Sequence, residues 1–336
     1  MSLADQLAAY LTRTSGVATQ VENLARISGG ASRETYRYEA VTAAGREGFI
    51  LRRDPPASLI ETDRRAEFLA LASFAGKEVR APEPVILEED GAELERPFFI
   101  MRKIEGGMPS SPFAPDPFGR HAAAVGEQFF TIMGRIAGEP LAGLPLLEVG
   151  PPPAAEACWR RELDYWAGVI EADEQHPQPI VRAAIRRLYH APPPPAARLS
   201  AVHGDYRIGN FLHDGAGQIL AMLDWEMAHL GDPLEDLAWS MDPLWSMAGD
   251  PRISGMVPRG EAVAIWERAS GVKVDEAALA WWALLASVKG QAIWTSAAKE
   301  WRDGGFAEPI LAFSGWYTAR RQDEILAERL AALGPL

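Results

Sequence analysis

Apolar residues interleave with polar ones along Thr35–Thr42 (TYRYEAVT) and run together along Gly48–Arg52 (GFILR), and Gly-rich stretches bound these short aromatic and β-branched runs. Short stretches rich in aromatic and β-branched residues are strand signals. Thr62–Phe74 changes period: Ala66, Leu69, Ala70 and Phe74 fall on one face of a short amphipathic helix. Val85–Leu87 and Pro97–Met101 (PFFIM) predict two further strands before Glu105-Gly106-Gly107 breaks the pattern. Beyond that break the period is mostly helical, over roughly 118–137, 155–172, 179–190, 260–270, 275–301 and 308–332. The proline run at 192–195 ends one helix and leads into a compact β segment, Leu199–Asp224. The expected organisation is α+β, with a small β-rich unit over 1–104 and a larger helical unit over 105–336.

Composition narrows the partners. Lys and Arg total 33 against 46 Asp and Glu, a net charge of −13. Broad nucleic-acid binding needs a basic surface that displaces counterions, so it is not expected. The longest apolar run, Ala277–Ala286, is too short to span a bilayer, so no membrane partner is expected either. Met1–Thr14 is amphipathic and lacks the basic start and apolar core of a signal peptide. With a single cysteine, Cys158, no intrachain disulfide can form. A cytoplasmic chain is expected, with Cys158 a packed thiol in a helix.

The candidate chemistry lies in His203-Gly204-Asp205-Tyr206-Arg207-Ile208-Gly209-Asn210, followed by Leu223-Asp224-Trp225-Glu226. Phosphoryl transfer needs a carboxylate to accept the proton of an attacking hydroxyl, and oxygen ligands for a Mg²⁺ that bridges phosphates. Asp205, Asn210 and Asp224 supply those groups. The intervening FLHDGAGQILAML predicts a hairpin turning at Asp214–Gly217, which would return Asp224 to the loop holding Asp205 and Asn210. No G-x-S-x-G elbow and no H-E-x-x-H zinc motif is present.

HGDxxxxN followed by a strand and D-W-E resembles the aminoglycoside phosphotransferase family, distant relatives of protein kinases. VHGDYRIGNFL, LDWEMAHLGDPLEDLAW and ILRRDPP are most similar to the phosphotransferase domains fused to acyl-CoA dehydrogenases. The resemblance implies a protein-kinase-like bilobal fold, ATP and Mg²⁺ as cofactors, and a small-molecule hydroxyl as acceptor. It makes Asp205 the catalytic base and Asn210 and Asp224 the metal ligands. Ser28-Gly29-Gly30-Ala31-Ser32 matches the phosphate-covering turn, with Gly29, Gly30 and Ser32 at the nucleotide. Phe49-Ile50-Leu51-Arg52 takes the place of the kinase strand that carries a phosphate-binding lysine, here an arginine. Strand alternation sends Ile50 and Arg52 to the cleft, and Arg53 away toward solvent. Glu67 corresponds to the glutamate that tethers the basic residue. Met101 stands at the gatekeeper position, while the Arg102 carbonyl and Ile104 N–H correspond to the groups that bind the adenine edge.

Several neighbours have structural readings. His203 is expected to pack beneath the catalytic loop. Asp232 and Pro233 suit a helix start, and Asp236 can reach back to loop N–H groups. Glu226 is a candidate for a second metal. Trp281, Trp282, Trp294 and Trp301 have core packing as their plain role and an apolar acceptor pocket as the functional one. A protein kinase is disfavoured because D-F-G, A-P-E and an activation segment are missing. The alternatives to a kinase for an apolar or hydroxyacyl-type metabolite are an aminoglycoside-type kinase and a catalytically silent nucleotide-binding module.

Overall fold

The computed structural model describes residues 1–27, 33–54, 63–304 and 308–334. It opens with helix α1 (Leu3–Ser15), started by a capping box in which Ser2 and Asp5 exchange side-chain and backbone bonds. Strands β1 (Gln20–Ile27), β2 (Glu34–Thr42) and β3 (Gly45–Arg53) follow, then helix α2 (Arg64–Phe74), β4 (Pro84–Glu88) and β5 (Phe98–Arg102). The five strands form one antiparallel sheet in the order β1-β2-β3-β5-β4. Leu51, Tyr38, Phe98 and Ile100 from one face of that sheet pack on Leu7 and Tyr10 of α1 and close a small core. Alternation then leaves Ile50 and Arg52 on the opposite face.

The helical lobe comes next. After β6 (Met108–Pro109) the chain forms α3 (Ala122–Gly138), α4 (Cys158–Asp173) and α5 (Pro179–His190). Short strands β7 (Ser200–Val202), β8 (Phe211–His213), β9 (Ile219–Met222) and β10 (His229–Gly231) lead to α6 (Leu234–Ser240). The predicted hairpin is present: β8 pairs antiparallel with β9 across the turn after His213. Helices α7 (Arg259–Ser270) and α8 (Glu276–Asp303) follow. Helix α8 is buried along most of its length, and its Trp281 and Trp282 belong to the large core shared with α4 and α6. Packing therefore accounts for those two tryptophans, while Trp301 lies beyond the core and is 44% exposed.

Two segments differ from the periodic reading. Met1–Thr14, read only as amphipathic, is the helix that covers the outer sheet face. The run expected over 308–332 is α9 (Pro309–Phe313), a π-helical turn at Ser314–Thr318 and α10 (Ala319–Leu333). At Gly315 an added Cβ would lie 2.6 Å from the Ala298 Cα, so only glycine permits this close crossing of α8. No described helix is long and apolar enough to cross a membrane.

Candidate active site

The loop between β7 and β8 carries Asp205, and its shape is set from beneath. The buried Asp236 carboxylate accepts the backbone N–H groups of His203 and Gly204 at 2.7 and 2.9 Å. Asp232 accepts Leu234 N–H at 3.0 Å where α6 begins, although Pro233 rather than Asp232 holds the cap position. Gly204 has φ +83, and a Cβ there would stand 2.2 Å from the Met227 carbonyl oxygen. No other residue fits that turn. Below it, the buried Lys289 ammonium donates to the Gly204 carbonyl and, at 3.0 Å, to Glu235.

His203 is fully enclosed. Its Nδ1 accepts the Asp205 N–H at 3.2 Å, so the ring proton sits on Nε2, which donates to the Leu223 carbonyl at 2.9 Å. Burial pulls this imidazole down to about 4, leaving it neutral at pH 7. It is a brace between the Asp205 loop and the strand end before Asp224.

Asp205 is held by three side chains. Oδ1 accepts from Trp239 Nε1 at 2.7 Å and Arg207 Nε at 3.0 Å; Oδ2 accepts from Asn210 Nδ2 at 2.6 Å. The Arg207 guanidinium also lies 4.7 Å from the Trp245 ring centroid. Trp245 meets Trp239 and Trp294 edge to face, so an aromatic wall stands beside the carboxylate.

Asp224 follows the hairpin, with φ 65 in the left-handed region that non-glycine residues seldom adopt. Arg52 spans the lobes to meet it. Nη1 donates to Glu67 Oε1 at 2.5 Å and to Asp224 Oδ1 at 3.0 Å, and Nη2 to Glu226 Oε2 at 3.0 Å. Burial works to raise the Asp224 carboxyl, but the Arg52 charge outweighs it and holds the group below the usual carboxylate range. Glu226, read as a candidate second-metal ligand, is an ion-pair partner of Arg52. Arg53 leaves the cleft as alternation requires, yet not for solvent. It pairs with Glu34 at 2.6 Å and donates to the Leu94 carbonyl, because β2 places Glu34 directly across the hairpin.

The structure thus brings Asp205, Asn210, Asp224, Arg52 and Glu67 into one connected set. Met101 and Arg102 end β5, Lys103 N–H donates to the Gly48 carbonyl at 3.0 Å, and Ile104 is the next residue along. Gly29, Gly30 and Ser32 lie outside the described residues. Sequence reading missed Arg33, whose buried guanidinium gives Glu67 a second partner at 3.0 Å. It also missed Trp239, Arg207 and Lys289. Lys289 had one signal: it is the one charged residue between Ala277 and Ala298.

The oxygen donors suit a hard cation. Asn210 spends its Nδ2 on Asp205, which leaves Oδ1 as its free ligand atom, and the ionised Asp224 carboxylate is half-exposed in the cleft. Comparisons with known proteins bear on the fold and the family. The chain is 28% identical over 241 residues to acyl-CoA dehydrogenase family member 10 of Mus musculus, covering 70% of this chain and 22% of that protein. It is 26% identical over 201 residues to acyl-CoA dehydrogenase family member 11 of Gallus gallus, covering 58% and 25%. The match therefore spans about a quarter of the length of these relatives. Among solved structures, a Ralstonia eutropha protein assigned as an aminoglycoside phosphotransferase shares the fold with a TM-score of 0.77 at 22% identity, over 97% of each chain. Aminoglycoside phosphotransferase APH(4)-Ia, solved with AMP-PNP and hygromycin B, has a TM-score of 0.60 at 18% identity, over 96% of this chain and 98% of that one. Both describe a small β lobe on a helical lobe in the kinase-like manner. Residues 23–272 match the phosphotransferase enzyme family, APH, and on that match the chain belongs to this family of kinase-type enzymes.

Proposed function

We propose that the chain transfers the γ-phosphoryl group of ATP to a hydroxyl of a small molecule, with Asp205 as general base. The observation that carries this reading is the linked pair of Asp205 with Asn210 and Asp224 with Arg52 at the mouth between the lobes. Asp205 would orient the acceptor hydroxyl and take its proton. Trp239, Arg207 and Asn210 fix the carboxylate so that little reorganisation is needed at the moment of transfer. Asn210 Oδ1 and the Asp224 carboxylate would hold Mg²⁺, which when bound screens the charge on phosphate oxygens. Arg52, tethered by Glu67, would turn its guanidinium to phosphate, a pairing that arginine makes bidentately.

Residues 1–104 would then serve as the nucleotide lobe. Gly29, Gly30 and Ser32 would cover the phosphates, Ile50 and Met101 would flank adenine, and the Arg102 carbonyl and Ile104 N–H would pair with its edge. Residues 105–336 would carry the catalytic loop and acceptor site. The Trp239–Trp245–Trp294 wall beside Asp205 supports a largely apolar or hydroxyacyl-type acceptor, and the acyl-CoA dehydrogenase names of the relatives point the same way. A polycationic aminoglycoside would instead call for a ring of carboxylates.

The test is an ATP-consumption assay across hydroxylated metabolites, with products identified by mass. Phosphorylated hydroxyacyl thioesters, and no product from kanamycin-like compounds, are expected. Turnover of the aminoglycosides alone would overturn the acceptor assignment. Nucleotide binding without consumption under any acceptor would make the chain a silent module.

A further inference from the structure

Away from Asp205, three potential ligands converge from separate elements. Glu162 comes from α4, His229 opens β10 and Glu235 lies in the first turn of α6. His229 Nε2 is 3.1 Å from Glu235 Oε2 and 3.5 Å from Glu162 Oε1, and all three ligand atoms lie within 4.8 Å of one another. They line one wall of a cavity of about 270 Å³ between the start of α2 and the α4 helix.

We propose that Glu162, His229 and Glu235 bind a divalent transition-metal ion of the Zn²⁺ class, at a site separate from Asn210 and Asp224.

The spacing carries the argument first. Zinc bonds to nitrogen and carboxylate oxygen run about 2.0–2.1 Å, which places neighbouring corners of a tetrahedron about 3.3 Å apart. The two imidazole–carboxylate separations bracket that value without any movement of the backbone. The outer contacts are those of a built site. His229 Nδ1 can only donate to the Met227 carbonyl, 3.0 Å away, and that fixes the tautomer whose Nε2 faces the carboxylates. Lys289 Nζ holds Glu235 Oε1 at 3.0 Å, and Arg161 Nε holds Glu162 Oε1 at 3.0 Å. An imidazole with two carboxylates favours zinc and its neighbours over magnesium or calcium, which take oxygen alone. The cavity supplies room for water or a small anion in the fourth position.

Binding would exchange the proton that Nε2 shares with the carboxylates for the ion, and the proton would leave to solvent. Glu235 reaches the Gly204 carbonyl through Lys289, so the ion would brace the loop that carries Asp205 from behind. The site does not depend on the reading of phosphoryl transfer.

The full chain, stripped with a chelator and returned to excess Mg²⁺ to fill the oxygen site, is titrated calorimetrically with Zn²⁺. One ion per chain and a raised Tm are expected. His229→Gln should weaken binding on the order of 10²-fold. Glu162→Gln sits on the partly exposed α4 surface, so it tests the site even where the buried histidine variant fails to fold; it should weaken binding likewise. Co²⁺ should show visible d–d absorption in the wild type and lose it in both variants. No stoichiometric Zn²⁺ in the wild type would leave the cluster an ion-paired triad and overturn the proposal. Equal Zn²⁺ affinity in all three proteins would overturn it too.

Discussion

Arg52 Nη1 donates to Asp224 Oδ1 at 3.0 Å while the same nitrogen is anchored on Glu67 Oε1. One cation thus ties the sheet, α2 and the strand end after the hairpin. Its neighbour Arg53 faces the opposite side of the sheet and bonds to Glu34. The two arginines should separate cleanly. Arg52→Ala should lower kcat/KM on the order of 10²–10³-fold, the cost of losing a preorganised charge at developing phosphate charge. Arg53→Ala should leave turnover within a few-fold and instead cost about 1–3 kcal/mol of stability, since among the described residues Glu34 keeps just the longer contacts to Arg96 at 3.4 Å and Tyr36 at 3.5 Å. Steady-state kinetics beside urea unfolding reads both; equal losses of turnover would reassign the strand faces.

Asp205 lies in the loop before the β8–β9 hairpin and Asp224 just after it, and their losses should differ in kind. Asp205→Asn keeps the bulk that Trp239 and Arg207 pack against, so Mg·ATP binding should persist while turnover falls about 10²–10⁴-fold. Asp224→Ala removes the ionised oxygen donor and should weaken metal-dependent nucleotide binding itself. Titration with a non-hydrolysable ATP analogue, with and without Mg²⁺, distinguishes them. Equal affinity in both variants would remove Asp224 from the metal site.

Much of this arrangement was legible in the chain because it depends on local rules. Strand alternation alone separates Arg52 from Arg53, and the Asp214–Gly217 turn alone returns Asp224 to the loop. Asp236 was legible as a loop anchor because its motif fixes its place one turn into α6. What escaped depends on tertiary placement. Glu34 as the partner of Arg53 needs the cross-strand register, and Trp239 as a donor to Asp205 needs the position of a seven-residue helix against the loop. The Ser314–Thr318 π turn escaped because periodicity reads straight through a one-residue slip.

Trp239 offers a test of orientation rather than of chemistry. Its Nε1 donates to Asp205 at 2.7 Å from a fully buried ring, so Trp239→Phe removes the donor and retains most of the packing. A hydrogen bond to a charged group contributes about 1.5–3 kcal/mol, which corresponds to roughly 10–100-fold in kcat if the bond aims the base. KM for ATP should stay unchanged if, as proposed, Asp205 faces the acceptor. A rise in KM with kcat intact would mean that Trp239 serves binding alone.

His229 should set the alkaline limit of stability when metal is chelated. Burial alone would pull its imidazole down, but Glu162 and Glu235 push it up to about 9 from an ordinary 6.5. The folded chain therefore holds this proton more tightly than the unfolded chain. Its contribution is fully present below pH 6.5 and disappears as pH rises through 9. The interval from 6.5 to 9 corresponds to about 3 kcal/mol at most. Asp232 and Asp236, which burial pushes up to about 6, titrate below this window, and the buried Cys158 thiol, pushed up to about 11, titrates above it. Urea unfolding at pH 6.5, 8 and 9.5 in a chelating buffer should show the wild type losing stability stepwise. His229→Gln, which cannot take up the proton, should be less stable at pH 6.5 and nearly flat across the series. Parallel curves for the two proteins would show that the imidazole carries no charge between its two carboxylates.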